Sequence, residues 1–270
     1  MPPRNATKSN YGPRLYPWPP PPAEPEMWVP SVTSVLGVLD KPAIANWKVD
    51  RAARAAILMA KSGALAALIS QDETMAMSAI KSGWKSELDA AGAAGTAVHE
   101  AFEAHIKQTP APKLNELTTQ IYKQLLGLVN MYDVRVIHSE CTVYGLASGL
   151  EWAGTLDMIV DMDIPGRARK TLVADIKTSK GVYDDMAWQI GGAYRRADVL
   201  VTGDDGTVIP MPHTDGAIIF HVRPDEARAI PLASDALLYE GFLAARRIWG
   251  LKHDKSRRDV FAPLPVMKRN

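Results

Sequence analysis

The stretch Glu151-Trp-Ala-Gly-Thr-Leu-Asp157, with its continuation Leu172-Val-Ala-Asp175-Ile-Lys177-Thr-Ser-Lys180, decides how this chain is read. Two short apolar runs flank a polar segment from Asp161 to Thr171, and Pro165-Gly166 supplies a turn signal. The pattern predicts two strands joined by a loop. Successive residues of a strand point to opposite faces, so Asp175 and Lys177 project together with Val173. Leu172, Ala174 and Ile176 project the other way. An apolar strand that carries Asp and Lys on one face must satisfy those charges or use them, because unpaired buried charge is costly. Two readings stay open on these residues alone. One is an intrastrand ion pair on a solvated sheet edge, and the other is hydrolytic chemistry, for instance on a phosphodiester.

Working outward, Val134 to Tyr144 has a period of two, with Glu140, Thr142 and Tyr144 on one side and Cys141 and Val143 on the other. Before it, Leu114, Leu117, Ile121, Leu125, Leu128 and Tyr132 follow helical spacing and predict a core face without chemistry. Gly95 to Ile106 reads as a helix entered from a glycine-containing turn, with residues 99, 103 and 106 on one face. Residues 31–92 are read as mostly helical. Ser31 or Thr33 caps a short helix through Leu39, Asp40 and Pro42 open a second that runs to about 69, and a third starts at Asp72. Residues 1–28 form a Pro-rich arm, since Tyr16 to Pro22 suits neither a helix nor a central strand. That arm either docks a partner or lies across the domain.

Downstream, a helix starting at Asp184 carries Gln189, Tyr194, Arg195 and Arg196. Strands follow at Gly216 to Val222 and Ala227 to Leu232, then a last helix from Ser234 to about Trp249 and a basic tail over 251–270. The order predicts a mixed α/β domain over 29–250, with a central sheet flanked by helices and a helical N-terminal region (29–92) ahead of the core (93–250).

The bulk properties set limits. At 270 residues the chain suits one elaborated domain. Lys+Arg 31 against Asp+Glu 30 leaves no net field, so any nucleic-acid affinity must come from local patches. The single cysteine, Cys141, excludes an internal disulfide and a four-cysteine zinc or iron–sulfur site within one chain. No apolar run approaches a membrane span and no signal pattern opens the chain, so a cytoplasmic protein is expected.

Gly95…His99, Gly154-Thr-Leu-Asp157, Asp175-Ile-Lys177 and Gln189…Tyr194, in that order, resemble the RecB-like branch of the PD-(D/E)XK nuclease superfamily. Ser31-Val-Thr-Ser-Val-Leu-Gly-Val-Leu-Asp-Lys-Pro42 is similar to the start of the exonuclease-type members encoded by bacteriophages of actinobacteria. The resemblance implies a restriction-endonuclease-like core and a metal-dependent exonuclease acting on single- or double-stranded DNA ends in phage replication or recombination. A recombination or single-strand-binding partner would accompany it in the host cytoplasm. Other readings are an endonuclease of the same fold and a non-catalytic DNA-binding or assembly module. Asp157 and Asp175 offer hard oxygens that suit Mg²⁺ or Mn²⁺. By resemblance His99 and the carbonyl of Ile176 are further metal ligands, and Lys177 orients water or offsets charge at phosphorus. Glu140 resembles an acidic position that faces the metal in some members. Glu103 shares a helix face with His99 and would hold its ring. Gln189, Tyr194, Lys180, Arg195 and Arg196 are the expected DNA contacts.

Two departures stand out. The family pattern puts Tyr four residues after Gln, whereas Tyr194 follows Gln189 by five. Either the helix carries a one-residue bulge near Gly191-Gly192, or only one of the pair faces the DNA. The second departure is the lack of the four cysteines that hold an iron–sulfur cluster in several members, so no cluster is expected here.

Overall fold

The computed structural model describes residues 13–202, 206–233 and 236–253. The N-terminal part holds β1 (Leu15–Trp18) and β2 (Met27–Pro30), then the helices α1 (Val32–Leu36), α2 (Pro42–Lys61), α3 (Ala64–Gln71), α4 (Glu73–Lys81), α5 (Lys85–Lys107) and α6 (Glu116–Met131). The sheet region follows with β3 (Arg135–Gly145), β4 (Trp152–Met162) and β5 (Lys170–Lys177). After a short helix α7 (Asp184–Ala187) and a π-helical turn (Trp188–Ala193) come β6 (Val199–Thr202), β7 (Thr207–Pro210), β8 (Gly216–Val222), β9 (Ala227–Leu232) and α8 (Ala236–His253).

Seven strands form one mixed sheet in the order β7-β6-β3-β4-β5-β8-β9, and only the β5–β8 pair is parallel. Every residue of β8 is buried, as expected of a central strand covered on both faces. On one face, Val98 and Phe102 of α5 and Ile121, Leu125 and Leu128 of α6 pack against Met158, Leu172, Ala174, Ile176 and Phe220. On the other, α1, the π-turn and α8 cover Leu156, Ile159, Val173 and Ile219. Leu172, Ala174 and Ile176 thus face one core and Val173 the other, as the period of two predicts.

In β4 that period slips. Leu156 and Ile159 are three residues apart yet pack in the same core, while Met158 between them packs in the opposite one. A regular strand cannot do this. The slip falls at Asp157. On the neighbouring strand Glu140 has a φ of 50°, a left-handed conformation that costs a non-glycine residue about 1–3 kcal/mol. The β4–β5 ladder runs only from Met158↔Ala174 to Met162↔Lys170. Beyond it β4 continues along β3 while β5 diverges, and a fork opens between them.

Several sequence expectations need correction. The Pro-rich arm is not separate from the fold: Leu15–Trp18 pairs antiparallel with Met27–Pro30, so a boundary at 28 cuts through β2. Tyr16 and Val29 of this hairpin pack with Tyr144 and Ala153, and the Tyr144 hydroxyl donates to the Pro17 carbonyl at 2.9 Å. The helix expected over 42–69 breaks at Ser62-Gly63, where Gly63 takes a φ of 77° that suits glycine. Its start also differs, since Lys41 and not Asp40 occupies the cap position, with Pro42 in the first turn. Gly95 lies within a helix and marks no turn. Lys85–Lys107 is one continuous helix, and Gly95 is there for proximity: a Cβ would lie 3.1 Å from Thr178 Oγ1 in the loop after β5. Strands β6 and β7 were not foreseen. The tail beyond His253 lies outside the described residues. No single described helix is long and apolar enough to cross a membrane, and α2 with α3 reach that composition only as a pair bent by 94°.

Candidate metal centre and cleft

Three neighbouring strands and α5 deliver acids and a histidine to the fork. Glu140 comes from β3, Asp157 from β4 at the slip, Asp175 and Lys177 from β5, and His99 from α5. The ligand atoms of His99, Glu140 and Asp157 all lie within 4.8 Å of one another. His99 Nε2 sits 3.0 Å from the Ile176 carbonyl oxygen. A carbonyl only accepts, so Nε2 carries the proton and Nδ1 faces Asp157 Oδ2 at 3.5 Å. Asp157 Oδ2 also accepts the Ile176 N–H at 2.8 Å, so this carboxylate takes the place of a ladder bond where the strands part.

This set fits a hard divalent ion. Octahedral ligands at about 2.1 Å lie about 3 Å apart when adjacent. The His99 Nε2 and the Ile176 oxygen already stand at that separation, and a cation taking both would displace the Nε2 proton to Nδ1, beside Asp157. One imidazole among oxygens suits Mn²⁺ as well as Mg²⁺. Four of the expected ligands, His99, Glu140, Asp157 and Ile176, therefore converge. Asp175 stands behind them, 1% exposed, with its Oδ2 in an ion pair with Lys177.

The electrostatics show crowded acids. Burial, then the Asp157 charge, pushes the Glu140 carboxyl up to about 7, and Glu103 adds to the rise. Burial and Asp157 likewise push Asp175 up to about 6, against the opposing pull of Lys177. For Lys177, burial pulls the ammonium down, but Asp175 and Asp157 outweigh it and the group stays charged. A bound cation would offset such a cluster.

The five-residue spacing of Gln189 and Tyr194 is resolved by the π-helical turn over Trp188–Ala193. A π-turn repeats at i+5, so the two side chains stack, and Gln189 Nε2 donates to the Tyr194 hydroxyl at 3.0 Å. The turn packs closely on the start of α8, where a Cβ on Gly191 or Gly192 would come within 2.7 Å of the Ala233 or 2.9 Å of the Leu238 carbonyl oxygen. Tyr194 is buried, and its ring lies on Gly154, where a Cβ would sit 2.5 Å from Cε1. The glycine of Gly154-Thr-Leu-Asp157 thus makes room for the tyrosine. Tyr194 lines the cleft yet is only 3% exposed, too buried to stack on a base.

Other expected DNA contacts are placed elsewhere. Arg195 donates to the Thr214 carbonyl at 2.9 Å, at the end of β8 remote from Lys177. Arg196 is exposed, and neither arginine lines the cleft. Lys180 is 70% exposed, with its ammonium 3.5 Å from Glu87. Glu103 does not hold His99; it forms an i,i+4 ion pair with Lys107. Arg169 of the β4–β5 loop is occupied with Asp133, Asp161 and Asp163.

The cleft encloses about 1030 Å³. One wall is the α5 face from Leu88 through Gly92, Gly95 and His99 to Glu103. The opposite side brings Arg14, Tyr16, Ser31, Thr33 and Thr155, none of which the sequence reading placed in the site; Ser31 and Thr33 were read only as helix caps. A Tyr within a run of prolines offers no periodic signal, and its partner Thr155 lies 139 residues away.

No protein-family model matches the chain, and no curated protein matches it.

Proposed function

We propose that this protein is a metal-dependent nuclease that hydrolyses phosphodiester bonds of DNA. One observation carries the reading: His99, Glu140 and Asp157 converge within 4.8 Å beside the Ile176 carbonyl, with the Asp175–Lys177 pair behind them. His99, Glu140, Asp157 and the Ile176 carbonyl would hold Mg²⁺ or Mn²⁺. When bound, the cation would polarise the scissile phosphate and lower the pKa of an attacking water.

The chain's own groups have separate tasks. The Ile176 N–H fixes one oxygen of Asp157 and so aims the carboxylate into the fork. Asp175 holds the Lys177 ammonium in place and keeps it charged. That ammonium would steer the water and offset the negative charge that grows on the phosphoryl oxygens. The Tyr194 hydroxyl accepts from Gln189 and keeps its own proton for a phosphate oxygen. Water oxygen bonds to phosphorus and gives up one proton to solvent, the P–O bond to the leaving strand breaks, and the leaving oxygen takes a proton from solvent.

The exonuclease form of the reading rests on the similarity of residues 31–42 to exonuclease-type sequences. Purified protein should degrade linear DNA with Mg²⁺ or Mn²⁺, stop with chelator and spare closed circles. Cleavage of circles would replace the exonuclease with an endonuclease. Linear DNA left intact in both metals would remove the nuclease reading.

A further inference from the structure

We infer that Arg14 binds the phosphate adjacent to the one at the metal centre, which makes the N-terminal hairpin part of the substrate site. This rests on the nuclease reading and extends it to a part of the chain outside the motifs.

The cleft is short of usable positive charge. Its lining carries the carboxylates Glu100, Glu103, Glu140 and Asp157, and the cations Arg14, Lys107 and Lys177. Lys107 is tied to Glu103 and Lys177 to Asp175. Among the described residues, Arg14 is the lining cation with no carboxylate partner. A polyanion entering an acidic cleft needs such a charge on the wall.

Arg14 is also held firmly. Its backbone N–H donates to Ser34 Oγ at 3.0 Å, and its carbonyl accepts the Ser31 N–H at 2.9 Å. Both bonds lock it to the start of α1. The next hairpin residue but one, Tyr16, has its ring buried edge-on against Tyr144 at 6.4 Å. The Tyr16 hydroxyl lies 3.2 Å from Thr155 Oγ1, two residues before Asp157 on β4. The main chain of Arg14 is thus referenced to the strand that carries the metal ligand, and its exposed side chain lines the cleft. Burial raises the Tyr16 phenol, and the adjacent Thr155 and Arg14 oppose that rise, which places the guanidinium next to this hydroxyl at the cleft wall. Guanidinium and hydroxyl groups on one wall are the donors that backbone phosphates use.

The test measures binding of a labelled single strand and a labelled duplex to the full chain in chelator, where metal-dependent cleavage is stopped. Salt is varied from about 50 to about 200 mM. Arg14→Ala and Arg14→Gln should each weaken binding about tenfold. Each should also lower the salt slope by about 0.7 on single strands or about 0.9 on duplex. Arg14→Lys should restore the slope. Melting temperature checks that each variant is folded, and Arg14→Gln keeps a long side chain if alanine perturbs the hairpin. Unchanged affinity and slope in both neutral variants, in protein that still cleaves DNA with Mg²⁺, overturns the inference and leaves the nuclease reading standing. Wild-type protein that neither binds nor cleaves DNA overturns both.

Discussion

Gly154 and Tyr194 give the sharpest structural test. A methyl group added at Gly154 would lie 2.5 Å from Tyr194 Cε1 and 3.1 Å from its hydroxyl oxygen. Ordinary contact between such atoms begins near 3.5 Å, so the ring must move by about 1 Å. The ring belongs to the buried core with Leu156, Ile190 and Ala193, and has little room to yield. Overpacking of this kind costs about 1–3 kcal/mol. In a domain of this size that corresponds to a melting temperature lower by roughly 2–12 °C. The cost comes from one contact, so it should vanish when the ring is removed. Tyr194→Leu alone is destabilising through the lost burial and the unpaired Gln189. Adding Gly154→Ala to Tyr194→Leu should cost less than adding it to wild type, by most of that 1–3 kcal/mol. Urea unfolding of the four proteins measures the coupling. If Gly154→Ala costs the same in both backgrounds, the glycine is not there for the tyrosine, and the explanation of the Gly154-Thr-Leu-Asp157 spacing falls.

Other outcomes follow from the same geometry. Lys177→Met leaves the buried Asp175 carboxylate without its cation and should destabilise by up to about 3–5 kcal/mol. Adding Asp175→Asn should recover part of that stability in urea unfolding, while cleavage stays lost; a double variant as unstable as the sum of the single ones would contradict the ion-pair account. Arg195→Ala should cost about 0.5–1.5 kcal/mol from the Thr214 carbonyl bond, yet leave DNA affinity and cleavage unchanged. A loss of DNA affinity in that variant would return Arg195 to the substrate site. Asn115 caps α6 in a reciprocal pair with Thr118, so Asn115→Ala should cost about 1 kcal/mol in thermal or urea unfolding and leave the rate of cleavage alone.

How much of this was legible in the residues depends on the kind of information each position carries. The partition of Val173, Asp175 and Lys177 from Leu172, Ala174 and Ile176 could be read directly, because a strand's period of two is local. The bulge between Gln189 and Tyr194 was legible as an alternative, because spacing and two glycines conflict with a regular helix. Glu140 and Asp157 could be named as acids, but their convergence depends on the slip in β4 and on the left-handed backbone at Glu140. Neither leaves a mark in apolar alternation. Gly95 looked like the mark of a turn because glycine weakens a helix. The close approach of α5 to Thr178 is a tertiary demand that local propensity does not encode. Arg14 and Tyr16 were invisible for the same reason: their partners lie in α1 and β4, and proline-rich sequence hides strand character.

The central claim is that His99, Glu140 and Asp157 hold one catalytic divalent cation. Calorimetric titration of Mn²⁺ into the full chain, followed by cleavage of end-labelled DNA in the same buffer, tests it most directly. The account predicts one site in wild type, a site lost in Asp157→Ala and weakened in His99→Ala and Glu140→Gln, with cleavage falling in step. Absence of binding at millimolar Mn²⁺, or binding and cleavage that survive Asp157→Ala, would contradict it.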